Sequence, residues 1–446
     1  MPDSIHLPSA PLPPTYVLGG ARVPASLAHG IAPADAEGLA PVDILVSEGR
    51  IAAIGAALPG EALPADELPR LALGGGLVLP GLVDVHTHLD KAFIWQRAPN
   101  PDGTFAGALQ AADADRRAHW SASDLRRRMD FALRCAYAHG TVAIRTHLDS
   151  IGPQTAISWP VFREMRAIWQ GRIALQAVAL TPIDLVLDDS EFLPLLDAVR
   201  GHGGVLGAVT YMSPALPAGL DRLFTAAAEH GLDLDFHVDE SADPGARSLA
   251  LIAETALRHD FGGRILAGHC CSLARQEADA VARTLDLVAR AGIAIVSLPL
   301  CNLYLQDRHP GRTPRWRGIT LLHEMKARGI PVMVASDNAR DPFYAYGDLD
   351  LLEVYREATR IAHLDHPFAD WPSIVAATPA AQMGIEAGRL VPGAPADLIL
   401  CRARSLNELL ARPQADRLVL RAGQRIDAAP PDYAELDDLT GMSHGL

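Results

Sequence analysis

The sequence predicts an α/β protein: a (β/α)8 barrel of the TIM type with a small β-sandwich formed by the N- and C-terminal segments. Three observations lead there. Eight apolar, strand-like runs alternate with amphipathic helical stretches through the middle of the chain. Strand texture without helical periodicity precedes this region and returns after it. Polar residues collect at the carboxyl ends of the runs, where barrel enzymes place their chemistry, and do not scatter along them. The 446 residues hold one barrel of roughly 250–300 residues and a smaller partner. The expected boundaries are 1–80 and 387–446 for the two parts of the sandwich and 81–386 for the barrel.

Near the start, residues 16–20 form a short apolar run with a glycine stop, and 42–46 leads through Glu48-Gly49-Arg50 into 51–55, a hairpin with a glycine turn. The eight strand candidates follow at 77–89, 141–148, 173–180, 205–212, 232–238, 264–269, 293–300 and 331–336. Helical stretches between them include 123–139, 220–230, 247–259, 277–291 and 321–328, several closed by glycine. Strands that are apolar throughout, each followed by a helix, imply parallel strands covered on both faces. Two further helices are expected at 349–361 and 371–383, after which 398–401 and 417–420 return to strand texture.

Composition bounds the function. Hydrophobic residues at 49% and charged residues at 21% suit a globular chain. A formal charge of −14 argues against nucleic acid or an anionic membrane as partner, since either needs a concentrated basic face. Five cysteines without paired spacing fit a reducing compartment. Residues 1–14 contain no Lys or Arg and no apolar core of signal length, and no run approaches the ~18 apolar residues of a membrane span. The expected location is the cytoplasm.

The strongest local signal is Asp84-Val85-His86-Thr87-His88 at the end of the first run. Side chains at i and i+2 of a strand share a face, so His86 and His88 aim together. Run five ends at His237-Val238-Asp239-Glu240, run six at His269 and run eight at Asp337. Four strands thus deliver imidazoles and carboxylates to one end of the barrel, a set suited to a divalent metal and hydrolytic chemistry.

This order of residues resembles the amidohydrolase superfamily. The fuller wording is similar to its cytosine deaminase branch, through Ile144-Arg145-Thr146-His147-Leu148-Asp149, the run from Asn302 to Arg308, Arg317-Gly318-Ile319-Thr320, and the run from Ser336 to Pro342. The last of these, with His88-Leu89-Asp90-Lys91, also resembles the N-isopropylammelide-type amidohydrolases. The resemblance implies that His86, His88, His237 and Asp337 ligate one divalent metal, Zn²⁺ or Fe²⁺. It implies one ion because run four carries no lysine of the kind that bridges two. The implied reaction is hydrolytic deamination of a small nitrogen heterocycle, cytosine or a related pyrimidine or triazine. A metal-activated water attacks the amine-bearing ring carbon and ammonia leaves. In that scheme Asp337 takes a proton from the water, Glu240 shuttles protons to the ring nitrogen and the amine, and His269 stabilises the attacking oxygen by hydrogen bonding.

Three positions depart from the cytosine pattern. No glutamine follows run three in 177–184, Asn338 stands where an acid is usual, and Phe343 where tryptophan is usual. Lys91 adds a cation one turn past the histidine pair, facing either solvent or a polarised substrate edge. Lys91, Asn338 and Phe343 are the candidate substrate-binding residues. Two other readings remain open: hydrolysis of an N-alkyl amine or cyclic amide on the same barrel, and a non-catalytic scaffold. A homo-oligomer is expected by analogy with other barrels that carry a side sandwich.

Overall fold

A computed structural model describes residues 11–56, 58 and 68–441. The reading of 1–14 as free of a leader therefore lies largely outside the described residues. The chain divides into two compact units: residues 1–83, 135–143 and 350–430 form one, and 84–134, 144–349 and 431–446 the other.

In the first unit, strands from both ends of the chain share one mixed sheet of eight strands. Across it run Gln424–Arg425, Leu418–Arg421, Leu398–Cys401, Leu77–Pro80, Thr15–Pro24, Leu39–Ser47 and Arg50–Gly55, and Arg70–Ala72 pairs beside Thr15–Pro24. The hairpin expected around Gly49 is present, with Ser47 opposite Arg50. One face buries Tyr16, Leu18, Val23, Ile44, Val46, Val78, Leu398 and Leu400, and the Tyr16 hydroxyl donates to the Gly423 carbonyl at 2.6 Å.

The first long strand candidate, 77–89, divides in two. Leu77–Pro80 pairs antiparallel with Leu398–Cys401, while Leu82–Thr87 starts the second set of strands. Gly81 sits at the break, where a Cβ would come within 2.2 Å of Val142 Cγ1. The chain passes too close to its neighbour there for any side chain.

The eight strands of that second set are β1 Leu82–Thr87, β2 Thr141–Asp149, β3 Ala174–Leu180, β4 Leu206–Thr210, β5 Leu234–Val238, β6 Ile265–His269, β7 Ala294–Ser297 and β8 Val332–Val334. β4 to β8 form a five-stranded sheet, parallel throughout, and β1, β2 and β3 a three-stranded one. Parallel bridges Val178–Val205 and Pro182–Val209 pair residues at β3 with residues at β4, and Thr87–Asp337 pairs the end of β1 with the segment after β8. Helices alternate with the strands. Leu216–His230, for example, buries Leu216, Leu220, Leu223, Phe224 and Ala227 at helical spacing.

Two expectations need correction. Run seven does not continue to residue 300: β7 ends at Ser297 and Pro299–Leu305 is helical, with proline at the first turn, where its missing N–H costs nothing. The single helix expected at 371–383 is a 3-10 turn at Pro372–Val375 and a short helix Ala377–Met383, with a break at Ala376 (φ −140°, ψ −87°). Pro372 and Pro379 each lack an N–H for a continuous ladder. Among the described residues no helix is long and apolar enough to cross a membrane.

Candidate active site

The carboxyl ends of β1, β5, β6 and β8 converge. The Asp337 N–H donates to the His86 carbonyl at 2.9 Å and the His88 N–H to the Asp337 carbonyl at 3.2 Å, so the eighth and first strand ends are stitched together at this point. Asp84 Oδ1 accepts the Ser336 N–H at 3.1 Å. Two of the site residues, His269 (φ 66°) and Asp337 (φ 62°), and two neighbours, Asp239 (φ 45°) and Cys270 (φ 50°), hold left-handed backbone. Such conformations cost non-glycine residues about 1–3 kcal/mol each and persist where the surroundings impose them.

His237 Nε2 lies 3.2 Å from His86 Nε2 and 3.1 Å from His88 Nε2. Asp337 Oδ1 is 3.5 Å and 3.3 Å from the same atoms of His86 and His88. Four donor atoms held this way match a cation cage: bonds of ~2.0–2.1 Å to a tetrahedral ion place its ligands ~3.3–3.4 Å apart. Both Asp337 carboxylate oxygens are buried without a hydrogen-bond partner. Burial, then the surrounding charges, push His86, His88 and His237 well below the usual imidazole range, so all three offer lone pairs. Gly268 makes the room, since a Cβ there would press to 2.9 Å from His86 Cε1. The residues fit a divalent ion.

A fourth imidazole to which the sequence assigned no role, His147, packs against His86 with ring centroids 4.0 Å apart and the rings tilted by 40°. Its Nε2 meets Asp235 Oδ1 at 3.1 Å, and Arg145 Nη1 donates to Asp235 Oδ2 at 3.0 Å. His147 Nδ1, like the Nδ1 atoms of His86, His88 and His237, has no hydrogen-bond partner. The ligand atoms of His86, His88, His147 and His237 all lie within 4.8 Å of one another.

Glu240 and His269 are joined by a residue that the sequence analysis left without a role. Asn302 Nδ2 donates to Glu240 Oε1 at 3.0 Å and lies 3.0 Å from His269 Nδ1. With both amide hydrogens so used, His269 Nδ1 is an acceptor and its own proton sits on Nε2, which has no protein partner. Burial, then the charge of His147, push His269 down to about 3, so the ring is neutral. Burial, and then the Asp337 carboxylate, hold Glu240 well above the usual carboxylate range. Asn302 lies in the helix Pro299–Leu305, of which only the first two residues were read from sequence as the tail of a strand, and its contacts with Glu240 and His269 carry no sequence signal.

These groups floor a cavity of about 550 Å³. Lys91, Asn338 and Phe343 all reach its wall. Lys91 Nζ pairs with Asp149 Oδ1 at 2.8 Å and lies 5.4 Å from the centre of the Phe343 ring. Burial works against the Lys91 charge, but Asp149 and Asp90 outweigh it and hold the amine protonated. The amide of Asn338 is engaged within the protein: it donates to Asp341 Oδ2 at 2.7 Å and accepts from Cys301 Sγ at 3.6 Å. Leu180, Pro182, Val209, Tyr211 and Met212 give the opposite wall an apolar surface suited to a flat ring.

Comparison with known proteins agrees with this geometry. A model of the amidohydrolase family matches residues 182–427. A pterin deaminase of Rhizobium rhizogenes is 55% identical over 434 residues, 97% of this chain and 98% of that protein. The fold is similar to that of 5-methylcytosine deaminase from Klebsiella pneumoniae, with a TM-score of 0.78 and 22% identity over 93% of this chain and 98% of that one. It is also similar to N-isopropylammelide isopropylaminohydrolase from Burkholderia multivorans, with a TM-score of 0.74 and 25% identity over 92% and 98% of the two chains.

Proposed function

Because the chain belongs to the amidohydrolase family, we propose that it is a metal-dependent aminohydrolase that removes the exocyclic amine of a pterin-type heterocycle as ammonia. The observation that carries the reaction type is Glu240, a largely buried carboxyl whose proton affinity is raised, placed beside the His86, His88, His237 and Asp337 donors at the floor of a ring-sized cavity. The choice of a pterin follows the extent of likeness to the Rhizobium enzyme.

His86, His88, His237 and Asp337 would hold one divalent ion, zinc or iron, which would supply Lewis-acid activation of water when bound. The chain's own residues do the rest. Glu240 gives its proton to the ring nitrogen beside the amine-bearing carbon, making that carbon electrophilic. Asp337, pushed upward by burial, takes a proton from the attacking water on its unpartnered Oδ2. His269 donates Nε2–H to the attacking oxygen, in the tautomer set by Asn302. The proton held by Asp337 then passes to the amine, which leaves as ammonia, while the hydroxyl proton on the reacting carbon returns to Glu240 and that carbon keeps the oxygen as a carbonyl. Phe343 and the apolar wall hold the ring flat, with Lys91 and Asn338 at its polar edge.

The supporting scaffold in this reading is a closed (β/α)8 barrel, favoured by the bridges Val178–Val205 and Thr87–Asp337. The terminal strands are its sandwich, in the parts 1–80 and 387–446. The buried thiols of Cys270, Cys271, Cys301 and Cys401 and the charge of −14 favour a cytoplasmic protein that does not bind nucleic acid, and the analogy with other barrel enzymes favours a homo-oligomer.

The test is an ammonia-release assay on metal-loaded protein with pterin, cytosine and an N-alkylated aminotriazine. Ammonia and 2,4-dioxopteridine from pterin are expected. No ammonia from pterin overturns the reading, and alkylamine from the triazine alone moves it to the N-alkyl class. Asn302→Leu is expected to retain the fold and lower kcat by about 10–100-fold, the usual cost of losing a group that orients a site residue. An unchanged kcat removes Asn302 from the mechanism.

A further inference from the structure

We propose that Lys91 and Asp149 together read a lactam edge of the substrate, the adjacent ring C=O and N–H. This selects rings in which a lactam nitrogen flanks the amine-bearing carbon, the 2-amino-4-oxopyrimidine pattern. The inference rests on the aminohydrolase reading and specifies which rings that site takes.

The pair is built into the wall next to the metal cage. Lys91 sits in the turn after His88, its N–H donating to the His88 carbonyl at 3.3 Å. Asp149 ends β2, and its N–H donates to Asp90 Oδ2 at 2.7 Å, which fixes that strand end against the same turn. The two side chains are only 6% and 16% exposed, yet both line the cavity beside His88 and Glu240. A buried ion pair adds little net stability, because desolvation offsets the attraction. Retaining one on a cavity wall is better explained by a ligand.

Its unspent hydrogen-bonding capacity matches a lactam. An ammonium has three hydrogens. Asp149 takes one and Phe343 covers one side of Nζ, which leaves donor capacity for a carbonyl oxygen. Asp149 Oδ1 is spent on Lys91, while Oδ2 has no hydrogen-bond partner among the described residues, which leaves an acceptor for a ring N–H. A donor and an acceptor side by side complement C=O and N–H side by side. Glu240 already serves one nitrogen flanking the reacting carbon. The lactam nitrogen at Asp149 is then the other flank. In cytosine the amine-bearing carbon has one flanking nitrogen and one flanking C–H, so Asp149 would face a carbon.

The probes are pterin and 2-aminopteridine, which lacks the 4-oxo group and hence the lactam. Calorimetric binding and ammonia release are measured on the metal-loaded wild type, on Lys91→Met, and on Asp149→Asn, which keeps the shape and offers N–H in place of an acceptor. The wild type is expected to favour pterin by about 100-fold, and both variants to bring that ratio below about 10. Should Lys91→Met not fold, Asp149→Asn alone decides. A wild type that binds the two probes equally, or folded variants that keep the wild-type ratio, overturn the proposal. Selective binding of pterin with no ammonia released overturns the aminohydrolase reading and leaves the pair's role standing. Ammonia release with a ratio unmoved by the variants does the reverse.

Discussion

Glu240→Gln is expected to bind metal as fully as the wild type and to lose turnover by about 10²–10⁴-fold, the usual worth of a positioned general acid. Gln matches Glu in shape and can still meet the Asn302 amide through its own oxygen, so the floor of the cavity is preserved. What disappears is the titratable proton. Burial together with the Asp337 carboxylate raises the proton affinity of Glu240, and among the described residues no other carboxylate bonds to the Asn302 Nδ2 that spans Glu240 and His269. The measurement is metal content alongside kcat. Full activity would mean that protons travel another way, and metal loss would mean that Glu240 supports the cage.

Asp337→Asn is expected to do the opposite: metal affinity falls by more than about 100-fold and activity goes with it. Replacing a group that merely supports a ligand costs about 10–100-fold, and here a ligand loses its charge. The fold should hold. Asparagine tolerates left-handed backbone as aspartate does, and the ties of residue 337 to His86 and His88 run through its main chain. Metal analysis and thermal unfolding of metal-free protein separate the two effects. A variant that keeps its metal removes Asp337 from the cage, and one that unfolds shows that its carboxylate serves the scaffold.

The cage was legible because strand geometry makes it so. His86 and His88, two apart, had to share a face, and the other members each closed an apolar run. The mixed sheet was legible as strand texture at both ends of the chain. What sequence could not supply was contact across the strands. Asn302 lies just beyond the strand candidate 293–300, and Pro299 as a helix start carries no louder signal than Pro299 as a strand stop. Asp149 and Asp235 sit within or at the end of apolar strands, and their value comes from Lys91, Arg145 and His147, partners on other segments. Gly268 reads as an ordinary small residue until His86 is seen against it. The cytosine pattern was visible in individual motifs, while the 55% identity to a pterin deaminase is spread over 97% of the chain.

The left-handed backbone at His269 and Asp337 has an evolutionary consequence. Each position would be relaxed by glycine, so a lineage released from selection for activity can gain stability by single steps that also dismantle the site. Descendants that keep side chains at both positions are under continuing demand for the reaction, and glycine at either marks a copy drifting toward a purely architectural life.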